Sequence, residues 1–289
     1  MKEIVVLSGK GGTGKTSLTA ALASIAENKV ICDADVDAAD LHLLAAPDFG
    51  RTTDFTGGGL AVIDPDRCSQ CGLCRELCRF EAIDEDFRVD GISCEGCGVC
   101  VDLCPEKAID FPIQTCGQWF VSDSRLGSMV HARLGIAQEN SGKLAALVRK
   151  EARDLAEAKG MDFILTDGPP GVGCPVIACL GGASAVLIVA EPTVSGLHDM
   201  KRVAELARHF KVPAMACVNK FDLNPGQTEA IETFCRENSL GFLGKIPFDP
   251  VWTQSMVQGR TVMERPGDLN VKTVVRGIWD QIRTAFKNI

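Results

Sequence analysis

The sequence predicts a doubly wound, mostly parallel α/β sheet with a small α+β module inserted into it. Short apolar runs alternate with stretches of helical spacing over most of the 289 residues, as in a parallel sheet covered by helices. A glycine-rich loop follows the first apolar run, and two similar runs of cysteines interrupt the alternation. We therefore expect the sheet domain at residues 1–59 and 113–289 and the inserted module at residues 60–112.

Length and charge narrow the classes of function. A chain of 289 residues is long enough for one large domain and a small second one. The formal net charge of −8 argues against a nonspecific nucleic-acid surface. No run of eighteen apolar residues occurs and the chain enters a strand directly, so we expect no membrane span, no signal peptide and a cytoplasmic location. In that compartment, fourteen cysteines indicate metal binding rather than disulfides.

The first element is an apolar strand at residues 4–7, and SGKGGTGKTS at residues 8–17 follows it before a helix-forming run. Strand, glycine loop and helix form the context of a phosphate-binding P-loop. Its glycines lack the Cβ atoms that would keep backbone N–H groups away from a polyphosphate, and the helix N-terminus adds partial positive charge. Lys15 is predicted to reach the β- and γ-phosphates, and the Thr16 hydroxyl is predicted to ligate Mg²⁺. The predicted ATP-binding residues of the loop are Gly11, Gly12, Thr13, Gly14, Lys15, Thr16 and Ser17.

Lys10 is a second lysine that an ordinary P-loop does not require. With the segment KGGTGKT, the chain resembles the deviant Walker A ATPases, the family of MinD, ParA, the Mrp-type cluster carriers and the nitrogenase iron protein. The resemblance implies a homodimer, or a heterodimer with a related ATPase, in which Lys10 reaches the partner's nucleotide. The alternative is a solvated lysine on an exposed loop.

Two strands are predicted to end in carboxylates beside the loop. The strand at residues 29–32 runs into DADVDAAD, and the strand at residues 163–166 runs into DGPPGVGC. Because the C-terminal ends of parallel strands face a nucleotide site, Asp167 is predicted to hold Mg²⁺ as a Walker B residue. The family resemblance implies that Asp33 lies near the Mg²⁺ shell, that Asp35 directs the attacking water, and that a switch loop follows Asp167.

Residues 48–59 are polar and rich in glycine, and they are predicted to form a loop. Beyond them, the spacing C-x2-C-x2-C-x3-C occurs twice, and RELCRFEAID in the first half matches VDLCPEKAID in the second. This is the bacterial two-cluster ferredoxin pattern, in which the fourth cysteine of each run ligates the cluster of the other run. One [4Fe-4S] cluster is assigned to Cys68, Cys71, Cys74 and Cys104, and the second is assigned to Cys78, Cys94, Cys97 and Cys100. Zinc is the competing interpretation, but triple runs with a distant fourth cysteine favour iron and sulfur.

The remaining pattern continues the α/β alternation. A returning strand is predicted at residues 119–122, and a helix with an apolar stripe is predicted from Leu144 to Ala156. Buried strands are predicted at residues 185–190 and 213–220.

Several single residues carry expectations of their own. The family resemblance implies that Asn219 recognises adenine, with Lys220 and Pro247 nearby. His131 is a candidate for contact with a cluster or the nucleotide, and we favour a packed or hydrogen-bonded imidazole. The position of Cys174 resembles that of a nitrogenase iron protein cysteine that helps to ligate a cluster shared across the dimer, and a free thiol is the interpretation we favour.

The C-terminal segment carries an apolar stripe from Val271 to Phe286. MinD relatives use such an amphipathic helix to reach membranes. We favour a helix docked on the sheet, because its excess of basic residues is small, and we expect no membrane partner.

These observations predict an ATPase that hydrolyses ATP to ADP and phosphate, with ATP, Mg²⁺ and two [4Fe-4S] clusters bound. The leading hypothesis couples its nucleotide cycle to electron transfer to a redox partner. One alternative is an iron-sulfur cluster assembly or carrier ATPase, although its Mrp-type relatives use a C-terminal cysteine pair that is absent here. Another is a spatial organiser of the MinD or ParA type with sensory clusters.

Overall fold

The structure is a computed structural model that describes residues 1–135, 140–267 and 270–287. Its strands are β1 (Lys2–Ser8), β2 (Lys29–Asp33), β3 (Asp48–Gly59), β4 (Val62–Ile63), β5 (Ile109–Asp110), β6 (Ile113–Ser124), β7 (Gly127–Leu134), β8 (Phe163–Pro170), β9 (Ala185–Ala190), β10 (Ala214–Asn219) and β11 (Gly241–Ile246). Its α-helices are α1 (Lys15–Ile25), α2 (Leu41–Ala45), α3 (Leu73–Leu77), α4 (Val99–Asp102), α5 (Ser141–Ala158), α6 (Cys174–Leu180), α7 (Val194–His209), α8 (Pro225–Glu237), α9 (Val251–Val257) and α10 (Asn270–Lys287).

The chain divides into two compact units. The larger unit contains Met1–Thr52, Trp119–Arg133 and Ser141–Ile289, and the smaller unit contains Thr53–Gln118 and Leu134–Asn140. The smaller unit includes the segment 60–112 that was predicted to be an inserted module. Within it, β4 and β5 form an antiparallel two-stranded sheet, and the short helices α3 and α4 precede β5.

A nine-stranded sheet has the order β11-β10-β9-β1-β8-β2-β7-β6-β3. The pairs that join β11, β10, β9, β1, β8, β2 and β7 are all parallel. Strand β1 lies inside the sheet, between β8 and β9, so its C-terminal end points to the same edge as theirs. The predicted α/β fold with a mostly parallel sheet is confirmed.

Helices cover both faces of the sheet around β1. Because side chains alternate along a strand, Ile4 and Val6 of β1 share one face, and they belong to the apolar core that also contains residues of α1 and α10. Glu3 lies on the opposite face, where its carboxylate accepts two hydrogen bonds from Arg149 of α5, at 2.7 and 2.8 Å. The two helical layers therefore lie on opposite sides of the same strand.

Glu3 is the centre of a buried polar network. Its carboxylate also accepts hydrogen bonds from Arg153, at 2.7 Å, and from the Thr166 hydroxyl, at 3.0 Å. Arg149 also donates to the carbonyl oxygens of Ala178 and Gly181. Glu3 and Arg149 are each only 3% exposed, so this network holds α5 to β1 through charges that water does not reach.

The segment at residues 48–59 corrects a prediction, since it forms strand β3 rather than a loop. Strand β3 lies at one end of the sheet, beside β6. Most of its side chains are exposed or half-buried, so the segment lacks the continuous apolar run that identifies a central strand. Glycines and polar residues are acceptable at an edge position because only one side of the strand is paired.

Helix α10 is docked on the sheet, as favoured from the sequence. Val271, Val275, Ile278, Trp279 and Ile282 are all buried and belong to the same apolar core as Ile4 and Leu22. A face already covered by the sheet is not free to enter a lipid bilayer. In the part of the chain that the structure describes, no helix combines the length and the apolar composition needed to cross a membrane.

His131 of β7 is packed and hydrogen-bonded, as favoured from the sequence. Its Nε2 lies 3.1 Å from the Ser122 hydroxyl, and its ring stacks on Phe120 with centroids 4.9 Å apart. Burial, followed by the nearby charge of His42, lowers the pKa of the His131 imidazole to about 4. The ring is therefore neutral at pH 7.

The low pKa of His131 predicts a loss of stability in acid. Because the unfolded chain, with an ordinary imidazole pKa of about 6.5, binds this proton more readily than the folded one, folding weakens as the pH falls from about 6.5 towards 4. We expect the wild-type protein to lose about 2 kcal/mol more than His131→Gln between pH 7 and pH 5, measured by urea unfolding. The variant His209→Gln, which changes an exposed imidazole, should follow the wild type. Equal losses in wild type and His131→Gln would contradict the prediction.

Candidate functional site

The glycine loop lies between the end of β1 at Ser8 and the start of α1 at Lys15. Gly12 and Gly14 have φ angles of 78° and 85°, in the left-handed region that favours glycine. A Cβ atom on Gly14 would lie 2.4 Å from the side-chain nitrogen of Asn219, and that nitrogen donates to the Thr13 carbonyl at 2.8 Å. The loop is therefore held against the end of β10, and its glycines are required by backbone geometry as well as by access for a phosphate.

Lys15 is buried at the C-terminal ends of the central strands. Its ammonium lies 2.9 Å from Asp167 and 3.3 Å from Asp35. Burial alone would lower the pKa of Lys15, but the charges of Asp167 and Asp35 outweigh it and raise that pKa above its ordinary value. Lys15 is therefore a fixed positive charge at the point where the motif places phosphate groups.

Thr16 and Asp167 form an oxygen-rich pair beside Lys15. The Thr16 hydroxyl donates to one Asp167 carboxylate oxygen at 2.6 Å, and the Thr19 hydroxyl donates to the other at 3.0 Å. Hydroxyl and carboxylate oxygens are the ligands that Mg²⁺ prefers. The donor set of these two residues therefore fits the predicted magnesium site.

Asp33 lies beside Asp167, because the two residues are directly opposite in the register of β2 and β8. Its carboxylate oxygens already accept the backbone N–H groups of Asp35 and Leu41, each at 3.2 Å. Burial, followed by the charge of Asp167, raises the pKa of Asp33 well above its ordinary value. Asp33 therefore stabilises the turn after β2, and it also lies near the predicted Mg²⁺ site.

Asp35, the predicted director of the attacking water, faces the candidate nucleotide cavity. The residue is only 6% exposed, and its carboxylate contacts Lys15. Burial raises the pKa of Asp35 to about 6, with a further contribution from Asp167 and an opposing one from Lys15.

A cavity of about 480 Å³ opens above the loop, which is within the range of small-molecule sites. Thr13 is one of its lining residues, and among the described residues its buried hydroxyl has no hydrogen-bond partner. Pro247 does not line the cavity, although the preceding Ile246 does. The predicted ATP-binding residues that line it are Gly11, Gly12, Thr13, Gly14, Lys15, Thr16, Ser17, Asn219 and Lys220.

Apolar residues from two short helices complete this cavity, and the sequence did not point to them. Leu43 and Leu44 belong to α2, and Trp252 and Met256 belong to α9. Met256 also contacts the first turn of α1, since the Ser17 hydroxyl lies 2.9 Å from its sulfur. No motif marks these residues, and only the folded chain brings them to the P-loop.

Lys10 is half-buried and pairs with Glu191, which follows β9. Its ammonium is 2.9 Å from one Glu191 oxygen, and the Lys220 ammonium is 2.5 Å from the other. Burial raises the pKa of the Glu191 carboxyl, but hydrogen bonds from Lys220 and Lys10 outweigh it, so the pKa lies below its ordinary value. Glu191 was not among the predicted site residues.

The eight spaced cysteines line two small cavities of the smaller unit. The first is lined by Cys68, Cys71, Cys74 and Cys104, and the second is lined by Cys78, Cys94, Cys97 and Cys100. Each cavity takes three cysteines from one run and the fourth from the other run. The two groupings are the two sets that the spacing predicts to ligate clusters.

Local geometry around these cysteines repeats in the two halves of the smaller unit. Helix α3 follows Gly72 and helix α4 follows Gly98, and both glycines have left-handed φ angles, of 83° and 75°. The backbone N–H of Ala82 donates to the Cys78 sulfur at 3.4 Å, and the N–H of Ala108 donates to the Cys104 sulfur at 3.3 Å. Such donors stabilise negative charge on a sulfur atom.

All eight cysteines are free thiols. In the described ranges, no three or more His, Cys, Asp or Glu side chains converge closely enough to hold a single metal ion.

The other cysteines of interest differ in exposure. Cys174, at the start of α6, is exposed, whereas Cys116 and Cys179 are buried. Cys32 and Cys217 are buried in β2 and β10, where they belong to the interior of the sheet domain. The free thiol that the sequence favours at Cys174 stays a prediction, and the bridging cluster stays its alternative.

Comparison with known proteins gives one family match over most of the chain. Residues 4–262 match the family described as the CobQ/CobB/MinD/ParA nucleotide binding domain. An uncharacterized protein of Methanocaldococcus jannaschii is 34% identical over 226 residues, which are 77% of this chain and 79% of that protein.

Two further proteins are similar at lower identity. The crystal structure of the Pyrococcus furiosus cell division ATPase MinD superimposes with a TM-score of 0.60 at 17% identity, covering 98% of this chain and 99% of that one. At this identity the likeness concerns the fold. The cytosolic Fe-S cluster assembly factor nubp2 of Xenopus tropicalis is 26% identical over 137 residues, which are 42% of this chain and 50% of that protein.

Proposed function

The chain belongs to the CobQ/CobB/MinD/ParA nucleotide-binding family, and from that premise we propose that it is an ATP-hydrolysing dimeric switch coupled to electron transfer. In this proposal ATP and Mg²⁺ bind at the glycine loop, and two [4Fe-4S] clusters bind at the two cysteine cavities. A redox partner receives the electron. The observation that carries the proposal is the grouping of eight cysteines into two cavities in a chain that also has a P-loop cavity.

The residues around the P-loop support ATP hydrolysis. Lys15 would neutralise charge on the β- and γ-phosphates, and Thr16 and Asp167 would hold Mg²⁺. Asp35 faces the same cavity and would orient the attacking water. Buried contacts hold these side chains together at the loop, and Lys15 and Thr16 would exchange their contacts with Asp167 for the phosphates and Mg²⁺ when the nucleotide binds.

The smaller unit supports the redox half of the proposal. Clusters bound to these cysteines would supply one-electron chemistry. The chain's own contribution would be to provide eight thiolates, to donate backbone N–H groups to the sulfurs of Cys78 and Cys104, and to shield both cavities with apolar neighbours such as Ile109 and Phe111.

Dimerisation would link ATP hydrolysis to electron transfer. Lys10 would reach the nucleotide of a second protomer, either a copy of this chain or a related ATPase. The segment after Asp167 would act as the switch that responds to the γ-phosphate. Closing and opening of the dimer would then alter how the clusters meet a redox partner.

Iron content tests the cluster assignment directly. Protein purified without oxygen should contain about eight irons and about eight sulfides per chain, as two four-iron clusters require. Cys97→Ser should lower the iron count to about four, because only the second cavity loses a ligand. As a matched control, Cys174→Ser changes an exposed cysteine outside both runs and should keep the wild-type count. A single zinc ion per cavity in the wild type would refute the assignment.

Coupling between the nucleotide cycle and electron transfer needs a separate measurement. The reduction potential and the reduction rate of the clusters should differ between the ATP-bound and ADP-bound forms, followed by EPR. Identical values in both forms would remove electron transfer from the proposal and leave the ATPase.

Similarity to the Xenopus tropicalis nubp2 favours a second candidate, an ATPase that assembles or carries iron-sulfur clusters. The similarity covers only 42% of this chain, so we rank the candidate lower. Transfer of iron and sulfide to an apo-protein, with loss of the donor's own clusters, would favour it over electron transfer. A spatial organiser would instead sediment with vesicles or DNA when ATP is present.

A further inference from the structure

Glu191 joins Lys10 of the glycine loop to Lys220, which follows β10 and lines the nucleotide cavity. One carboxylate oxygen binds Lys10 at 2.9 Å and the other binds Lys220 at 2.5 Å. The Glu191 side chain is only 14% exposed, whereas Lys10 is 33% exposed and could turn outward. The pairing therefore occupies Lys10 inside its own protomer.

The backbone on both sides of this pairing is fixed. The Glu191 carbonyl accepts the Thr193 N–H at 2.8 Å, and a Cβ atom on Gly196 would lie 2.3 Å from that same oxygen. The Ser8 hydroxyl donates to the Lys10 carbonyl at 2.8 Å. The Lys10–Glu191 contact joins side-chain atoms alone, so it can break without disturbing these backbone contacts.

Lys220 makes this rearrangement inexpensive in electrostatic terms. When Lys10 leaves, Lys220 still places a positive charge beside Glu191. The mostly buried Glu191 carboxylate therefore keeps a cation as its partner. Lys220 also lies 3.4 Å from the Gly12 carbonyl and lines the nucleotide cavity. Its left-handed φ angle of 57° is unusual for a lysine, and such a backbone is retained where surrounding contacts require it.

We propose that Glu191 is a positioning residue that retains Lys10 within its own protomer and releases it to the partner's nucleotide when the dimer closes. The inference rests on the proposed dimeric function. A triphosphate carries more negative charge than one carboxylate, so Lys10 moves to the phosphates once they come within reach. Glu191 thereby sets how much nucleotide binding is needed before the dimer closes, and it prevents Lys10 from acting early.

Retention is tested on the nucleotide-free protein. Lysines are acetylated briefly with acetic anhydride, and labelling at Lys10 is quantified by mass spectrometry against the exposed Lys211. In Glu191→Gln, Lys10 should be labelled about threefold faster than in wild type, because an amide does not pair with the ammonium. Glu191→Asp keeps the charge and should restore most of the protection. Equal labelling of Lys10 in wild type and Glu191→Gln would overturn retention.

Release is tested by dimer formation with a non-hydrolysable ATP analogue, followed by analytical ultracentrifugation. Glu191→Gln should lower the dimer dissociation constant about fivefold, since closure no longer breaks an ion pair. In a Lys10→Gln background the same change should have no effect. Weaker dimers in Glu191→Gln, or an effect that persists without Lys10, would overturn release. If the wild type does not dimerise with the analogue, the dimeric function fails and release fails with it, while labelling still decides retention.

Discussion

Lys15→Gln is expected to lower the rate of ATP hydrolysis by roughly a hundredfold or more, which is the effect of removing one buried charge from a developing phosphoryl transition state. Lys15 is 6% exposed and contacts both Asp167 and Asp35. Without its charge, the two carboxylates repel the phosphates as well as each other. The measurement is steady-state phosphate release at saturating ATP and Mg²⁺, accompanied by equilibrium binding of a fluorescent ATP analogue.

The matched control for this prediction is Lys143→Gln. Residues 141–143 repeat the letters SGK of the P-loop, but they begin helix α5 and Lys143 is exposed. This variant should hydrolyse ATP at the wild-type rate. Wild-type hydrolysis by Lys15→Gln would show that the cavity above the loop is not the catalytic site.

Arg149→Met is expected to lower the free energy of unfolding by about 3 kcal/mol, the usual result of removing one partner of a buried ion pair. Glu3 would keep Arg153, but it would lose two hydrogen bonds at 2.7 and 2.8 Å in a place that water does not reach. Urea unfolding followed by tryptophan fluorescence measures the change. Trp119, Trp252 and Trp279 all belong to the larger unit, so the signal reports on the sheet that contains Glu3.

The neighbouring variant Lys150→Met separates this effect from a general effect on helix α5. Lys150 forms an exposed pair with Asp154 on the same helix, at 2.7 Å. The unfolding midpoint of Lys150→Met should match that of the wild type, since exposed ion pairs contribute little to the free energy of unfolding. The double variant Glu3→Gln with Arg149→Met should recover part of the loss, because the buried side chain at position 3 is then no longer charged. A wild-type midpoint for Arg149→Met would mean that the network does not hold α5 in place.

The sequence predicted the parts of the site that depend on local patterns. The P-loop is contiguous, and the cysteine spacing fixes which residues can reach one cavity, so both could be located without coordinates. The carboxylates Asp33 and Asp167 were also predictable, because each follows the apolar run of a parallel strand and the C-terminal parts of such strands meet at one edge of the sheet.

The parts that could not be predicted depend on contacts between distant segments. Trp252 and Met256 reach the cavity from a helix more than two hundred residues beyond the loop, and their sequence differs little from that of any short amphipathic helix. Glu191 follows a strand whose apolar pattern gives no reason to place it beside Lys10. Strand β3 was missed for the opposite reason, since its exposure removes the apolar signal by which strands are recognised.

Strand β3 also determines whether a strand of another molecule can pair with the edge of the sheet. Because it ends the order of strands, its outer row of backbone groups is a template on which a second molecule could add a strand. Asp48, Arg51 and Asp54 place charges along it, and Arg51 is anchored by Glu151 at 2.6 Å and lies over Trp119. An added strand would have to bury those charges. The polar composition that hid β3 from the sequence pattern therefore protects the protein from aggregating edge to edge.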